Sequence, residues 1–202
     1  MMARIAAATL AVAAALTACG AAADGGWTVT VYYTAVESFH HEQAQTVQGC
    51  LQLDCDNGHN SLGQYPAGFV AAVHDEGTGL ITDGPHAGRY LNWSSDSGYW
   101  LDTAARDSNG RPLEPFVSAA ADGVADGTPV RITGCGTLDD GTAVPAAVCA
   151  RLSQANWRIR DEFTPGLGGT GHLDVYIGQE TGPAFTSRPD YVTLRRATVV
   201  VG

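Results

Sequence analysis

A small all-β barrel is the fold class this sequence predicts, and three observations predict it. Runs of β-branched and aromatic residues recur at strand length and are cut apart by Gly, Asp and Pro. Their spacing suits a small barrel. No segment carries helical periodicity long enough to build a second, helical domain.

The elements follow in order. Trp27-Thr-Val-Thr-Val-Tyr-Tyr-Thr-Ala35 alternates and reads as the first strand. From Glu37 to Pro66 the alternation fails. His40 to Gln48 reads as a short helix, and Asp54 to Gly63 is turn chemistry rich in Asp, Asn and Gly, so 37–66 is expected to be a loop-rich insertion. Phe69–Val73, Gly79–Thr82 and Arg89–Trp93 read as short strands, with 84–115 as a second insertion. Phe116–Ala121, Pro129–Thr133, Trp157–Asp161, His172–Ile177 and Tyr191–Val201 complete the set.

The chain begins with a basic Met1-Met-Ala-Arg4, an apolar run from Ile5 to Leu16, then small residues, the pattern of a secretory signal ending at residue 19. Leu16-Thr-Ala-Cys19 resembles a bacterial lipobox, which would make Cys19 a lipid attachment point and hold the protein at a membrane surface. Cleavage after Ala21-Ala-Ala23 would instead release it. A short linker, 20–26, then leads into a single domain over 27–202.

With Cys19 set aside, Cys50, Cys55, Cys135 and Cys149 remain, an even number suited to an oxidising compartment. Of three possible pairings, Cys50 with Cys55 and Cys135 with Cys149 are favoured because each closes a short segment. A closed loop of about 15 residues stabilises by about 3 kcal/mol in the chain-entropy model. The competing reading is zinc held by Cys50, Cys55 and His59. The expectation is no metal and no cofactor.

The formal charge of −10, with no lysine and scattered arginines, excludes a nucleic-acid partner, which needs clustered cations on phosphates. A neutral or mixed-charge polymer such as a glycan remains compatible. Gly166-Leu-Gly-Gly-Thr-Gly171 formally satisfies a dinucleotide-binding pattern, but a strand rather than a helix follows, so the glycines serve backbone freedom instead.

Candidate site residues come from alternation and turn chemistry. In Leu173-Asp-Val-Tyr-Ile177 the period of two puts Asp174 and Tyr176 on the face opposite the aliphatic residues. Taken alone, Asp174 reads as a solvent-facing strand residue. Asp161 ends its strand at a Gly-rich turn, either capping that turn or facing a ligand. Asp122 precedes Gly123 in a turn. Tyr90, Trp93, Tyr99 and Trp100 flank a polar turn and are candidate sugar-stacking aromatics, or core residues of a hairpin. The histidines, including His40 and His41, read as surface residues.

Arg160-Asp161 and Gly171-His-Leu-Asp-Val-Tyr-Ile-Gly178, preceded by Phe116-Val-Ser-Ala-Ala-Ala-Asp122-Gly, resemble the 3D domain, named for three aspartates. Asp122, Asp161 and Asp174 fall where those three belong. The same pattern closes the C-terminal half of lytic transglycosylases of the membrane-bound A type, which cleave peptidoglycan glycan strands. The family's Asp-Thr-Gly-Gly-Ala-Ile stands here as Asp161-Glu-Phe-Thr-Pro-Gly-Leu, and a cysteine-bounded insertion separates the Asp122 and Asp161 blocks.

The resemblance implies a small double-psi β-barrel, exported, acting on peptidoglycan or another glycan. It implies catalysis by Asp174 as general acid and then base, with Asp161 as the second acid; Asp122, Tyr90, Trp93, Trp100 and Tyr176 are the candidate sugar-binding residues. The rival reading is a non-catalytic glycan-binding barrel, expansin-like, or a secreted interaction protein.

Overall fold

A computed structural model describes residues 26–202. The signal, Cys19 and all of the linker except Gly26 lie outside the described residues.

The architecture is a curled, nine-stranded sheet with a separate hairpin and two short helices. In chain order the elements are β1 (Trp27–Val36), β2 (Ala44–Gly49), β3 (Asn60–Pro66), α1 (Ala67–Glu76), β4 (Thr78–Leu80), β5 (Tyr90–Ser94), β6 (Gly98–Asp102), β7 (Ser118–Ala120), β8 (Val130–Gly134), α2 (Ala146–Gln154), β9 (Arg158–Asp161), β10 (His172–Gln179) and β11 (Leu194–Val201). The sheet runs β6-β5-β4-β1-β10-β7-β9, with β11 joining β1 to β8. Three neighbouring pairs are parallel, namely β1 with β10, β1 with β4, and β7 with β9. Parallel neighbours distant in sequence exclude a simple meander.

β1 is the spine because it serves two cores. Its first half sends Val29 and Val31 into a barrel core with Ile132, Leu152, Trp157, Leu173, Val175 and Leu194. Its second half sends Tyr33 and Ala35 into another, with Leu62, Phe69, Val73, Ile81, Leu91 and Leu101. Trp157, fully enclosed, donates its indole N–H to the carbonyl of Leu152 at 2.8 Å, so the largest apolar residue carries no orphan donor.

Two local expectations are corrected. Phe69–Val73 lies within α1 rather than in a strand, because Phe69, Val70 and Val73 are buried at helical spacing. Pro66 precedes the first helical residue, and Gly77, in the left-handed region at φ 84°, closes the last turn by donating to Val73. Conversely, 40–48 holds no α-helix: Ala44–Gly49 is strand β2, paired along its length with β3. Thr and Val favour the extended chain over the helix, and the partner strand supplies the hydrogen bonds. The region 37–66 therefore carries a hairpin that buries Val47, Leu62 and Tyr65 on the second core.

Cys50 is bonded to Cys55 and Cys135 to Cys149. The first pair leaves no thiolates at 50 and 55 for zinc. Cys149 sits in α2, so the second bridge ties that helix to the end of β8.

Candidate active site

β1 and β10 lie side by side in parallel register, with Thr28 opposite His172, Thr30 opposite Asp174 and Tyr32 opposite Tyr176. Alternation sends Val29, Val31, Leu173 and Val175 into the barrel core. The polar residues of both strands consequently share the other face. The register continues across β7, where Ala120 pairs with Asp174, and onto β9, where Ala120 pairs with Asp161. A single row thus crosses four strands: Thr30, Asp174, Ala120, Asp161. At two strand spacings the aspartate Cα atoms are on the order of 10 Å apart, with only a methyl group between them.

Asp161 reaches this row through an irregularity. Ile159 pairs with Ala119 and is buried in the core, so strict alternation would turn Asp161 inward as well. A shift of register between Ala119 and Ala120 brings Asp161, rather than Arg160, opposite Ala120. Such an extra residue re-aims the side chain that follows it.

The two carboxyls are held differently. Asp174 accepts one side-chain hydrogen bond, from the Thr30 hydroxyl to Oδ1 at 2.7 Å. Burial pushes its pKa up to about 6, and the nearby Asp161 adds to the rise while the Thr30 bond opposes it. Asp161 accepts three donors: the backbone N–H of Ser108 at 2.8 Å, that of Glu162 at 3.0 Å, and the Tyr32 hydroxyl at 3.0 Å. Burial raises its pKa too, but all three donors work against that rise. Donors favour the ionised form, so Asp161 takes the charge and Asp174 keeps the proton. Tyr32, buried beneath both, has its pKa raised by burial and by the two carboxylates, and stays a donor.

The Ser108 amide is set in place by a small ion-pair network. Arg106 binds Asp102 at 2.8 Å, while Arg111 binds Asp107 at 2.8 Å and Asp126 at 2.6 Å and donates to the carbonyl of Arg160 at 2.7 Å. These bonds strap residues 102–111 across the end of β9. On the other side, the glycine-rich loop is tied down by Asp122, whose carboxylate accepts the N–H of Gly169 at 2.7 Å. A Cβ at Gly168 would strike that carboxylate and the Phe163 ring. The exposed Asp122 thus shapes the loop beside the row and lies off the row itself.

The aromatic candidates separate. The Tyr90 hydroxyl accepts from Gln179 at 3.0 Å at the end of β10. Trp100 lies on the same face of the β5–β6 hairpin as Tyr90, mostly buried, with its indole directed to Asp102 at 3.3 Å. Trp93 occupies the opposite face, against His74 of α1 at 4.1 Å between ring centroids, and Tyr99 pairs with it. That placement sets Trp93 apart from the aspartates. Tyr176 is buried, tilted against Tyr32 and hydrogen-bonded to Thr34 at 2.6 Å, so it supports the floor of the site.

Sequence reasoning missed Thr30, Tyr32, the Ser108 amide and His172. The even positions of β1 already grouped Thr30 with Tyr32 as one polar face, but nothing in the sequence says that β10 is the neighbour. The surface expectation for the histidines is corrected at two places. His172 is half-buried beside Thr30, and His40 is bonded to the buried Glu180 at 3.0 Å. A cavity of about 190 Å³ lies elsewhere, lined by Phe116, Leu152, Ile177 and Arg188, and no candidate aspartate borders it.

By sequence, the chain matches no protein-family model and no curated protein. By structure, it is similar to E. coli MltA with bound chitohexaose, at a TM-score of 0.53 and 12% identity over 86% of this chain and 70% of that one. It is likewise similar to a membrane-bound lytic murein transglycosylase from Agrobacterium tumefaciens, at 0.51 and 11% identity over 87% and 73%. A further E. coli MltA structure, described as a unique lytic transglycosylase fold, matches at 0.50 and 13% identity over 90% and 73%. The likeness establishes the fold as the double-psi barrel of MltA.

Proposed function

We propose, on the premise of that fold, that the protein cleaves glycan strands of peptidoglycan by a lytic, non-hydrolytic route, with Asp174 as the acid and then the base. The observation that carries the reading is the unequal pair: a carboxyl that holds its proton to about pH 6, in register with a second carboxyl that accepts three donors. Asp174 gives its proton to the glycosidic oxygen as the C1–O bond breaks. The resulting carboxylate takes the proton of the sugar's own 6-hydroxyl, whose oxygen then closes on C1. The proton count balances, and one carboxyl suffices because the nucleophile is already tethered. Hydrolytic glycosidases generally need a second carboxyl placed for water or for covalent attack. Here Asp161 is occupied on both oxygens, and its role is electrostatic.

The glycan class comes from the structural neighbours, one of which holds chitohexaose. Two disulfides fit an exported protein. Attachment through Cys19 belongs to the same proposal: Cys19→Ala is expected to move the protein from the membrane fraction to the medium, and an unchanged distribution would reject the anchor. Mass spectrometry of purified peptidoglycan after incubation tests the activity. Anhydro-sugar ends are expected; hydrolysed ends would replace the lytic route, and binding without release would favour the glycan-binding barrel.

A further inference from the structure

Thr30 stands between two partners. Its Oγ1 is 2.7 Å from Asp174 Oδ1 and 2.9 Å from His172 Nε2. A hydroxyl has a single proton to give. On the far side of the imidazole, Nδ1 lies 3.1 Å from the carbonyl oxygen of Leu167. A carbonyl only accepts, so Nδ1 carries the proton and the neutral ring presents Nε2 as an acceptor. The Thr30 proton cannot serve both Nε2 and an ionised Asp174.

With Asp174 protonated, every group is satisfied in one direction: the carboxyl O–H donates to Thr30, Thr30 donates to Nε2, and Nδ1–H donates to Leu167. With Asp174 ionised, the carboxylate competes for the Thr30 proton and Nε2 loses its donor. We propose that His172 is a positioning residue that, acting through the Thr30 hydroxyl, favours the protonated form of Asp174 and so keeps the acid loaded before substrate arrives. This rests on the assignment of Asp174 under the proposed function.

Burial lowers the pKa of His172, in keeping with a neutral ring. The ring is gripped by Phe163, 4.5 Å away between centroids, and by the glycine-rich loop that carries Leu167. The titratable groups facing Asp174 are Asp161 on β9, Tyr32 on β1 and, with weaker effect, Glu76 of α1 and Tyr191. Those facing His172 are Arg195 on β11 and Asp122. The charged groups oppose one another at His172, whereas the Thr30 bond acts in one sense.

The geometry makes two substitutions shift the same titration in opposite directions. His172→Phe keeps a ring against Phe163 but removes the acceptor, which frees the Thr30 proton for the carboxylate. The Asp174 midpoint should fall by about half to one pH unit, the scale of one modest hydrogen bond. Thr30→Val removes the donor itself, so the midpoint should rise. The double variant should follow Thr30→Val alone, because His172 acts only through that hydroxyl.

The midpoint is read from the carboxyl ¹³C shift of Asp174, assigned by loss of the signal in Asp174→Asn, and needs no turnover. An unchanged midpoint in His172→Phe, or an equal fall in the Thr30→Val background, overturns the proposal. The wild-type protein offers an independent reading should the variants not fold. Its ¹⁵N shifts should show Nδ1 protonated and Nε2 bare, with Nε2 responding as Asp174 ionises; the opposite tautomer overturns the chain. Opposite NMR shifts in a protein that releases no anhydro-sugar would uphold the positioning role and sink the catalytic reading instead.

Discussion

Replacing Asp174 by Asn should stabilise the fold at neutral pH while removing the proposed activity. The side chain titrates near 6 in the folded protein against an ordinary value of 3.8. The folded state therefore holds this proton where the unfolded chain has lost it. Stability linked to Asp174 is complete below about pH 4 and is lost as pH rises through 6. At about 1.4 kcal/mol per pH unit, the loss is about 3 kcal/mol at pH 7. Asn keeps a hydrogen bond to Thr30 through its amide and carries no charge to desolvate, so the variant should be more stable by up to that amount. For a domain of this size, the melting temperature would rise by roughly 6–12 °C.

Urea unfolding of both proteins at pH 4 and pH 7 measures the difference directly. The curves should coincide at the lower pH and separate at the higher. Glycan cleavage should meanwhile drop by about 10² or more, the usual scale of general acid–base catalysis. A variant less stable than wild type at pH 7, or a gap that does not change with pH, would refute the claim that burial of this carboxyl opposes folding.

Asp161→Asn should cost less activity than Asp174→Asn and should move the alkaline limb of kcat/KM to lower pH, because the negative charge that helps Asp174 hold its proton is gone. An unmoved limb would uncouple the two residues. Glu76 is raised to about 8 by burial, against hydrogen bonds from Tyr191 and the Tyr33 amide. Its raised value means stability present below about pH 4.5 and lost as pH climbs to 8, so Glu76→Gln should flatten that slope and gain up to about 4 kcal/mol at pH 8, as read by denaturant titration. Removing the Cys135–Cys149 bridge by paired Ala substitution should lower stability by about 3 kcal/mol without altering the Asp174 titration. A shifted titration would mean that α2 and the row carrying Asp174 are coupled.

Much of the barrel was legible in the sequence because its strands are short alternating runs bounded by glycine and proline. The central pair is the clearest case. Val29 and Val31 in β1, and Leu173 and Val175 in β10, announce their buried faces by period alone, and Asp174 follows by parity. Where periodicity is ambiguous, packing decided. Phe69-Val-Ala-Ala-Val73 is a five-residue apolar run that serves a strand or a helix, and only the second core selects the helical face. Ala44–Gly49 became a strand because β3 was there to pair with it.

The site divides in the same way. Which acids are available, and that Asp174 and Tyr176 share a face, can be read from the chain alone, since alternation is a local property of the backbone. Strand order is not local. That β10 lies beside β1 brings Thr30 to both His172 and Asp174, and these contacts join residues more than 140 positions apart. Asp161 shows the limit most plainly. Parity alone assigns it to the core beside Ile159, and a register shift against β7, visible only once that strand is in place, turns it to the face where Asp174 waits.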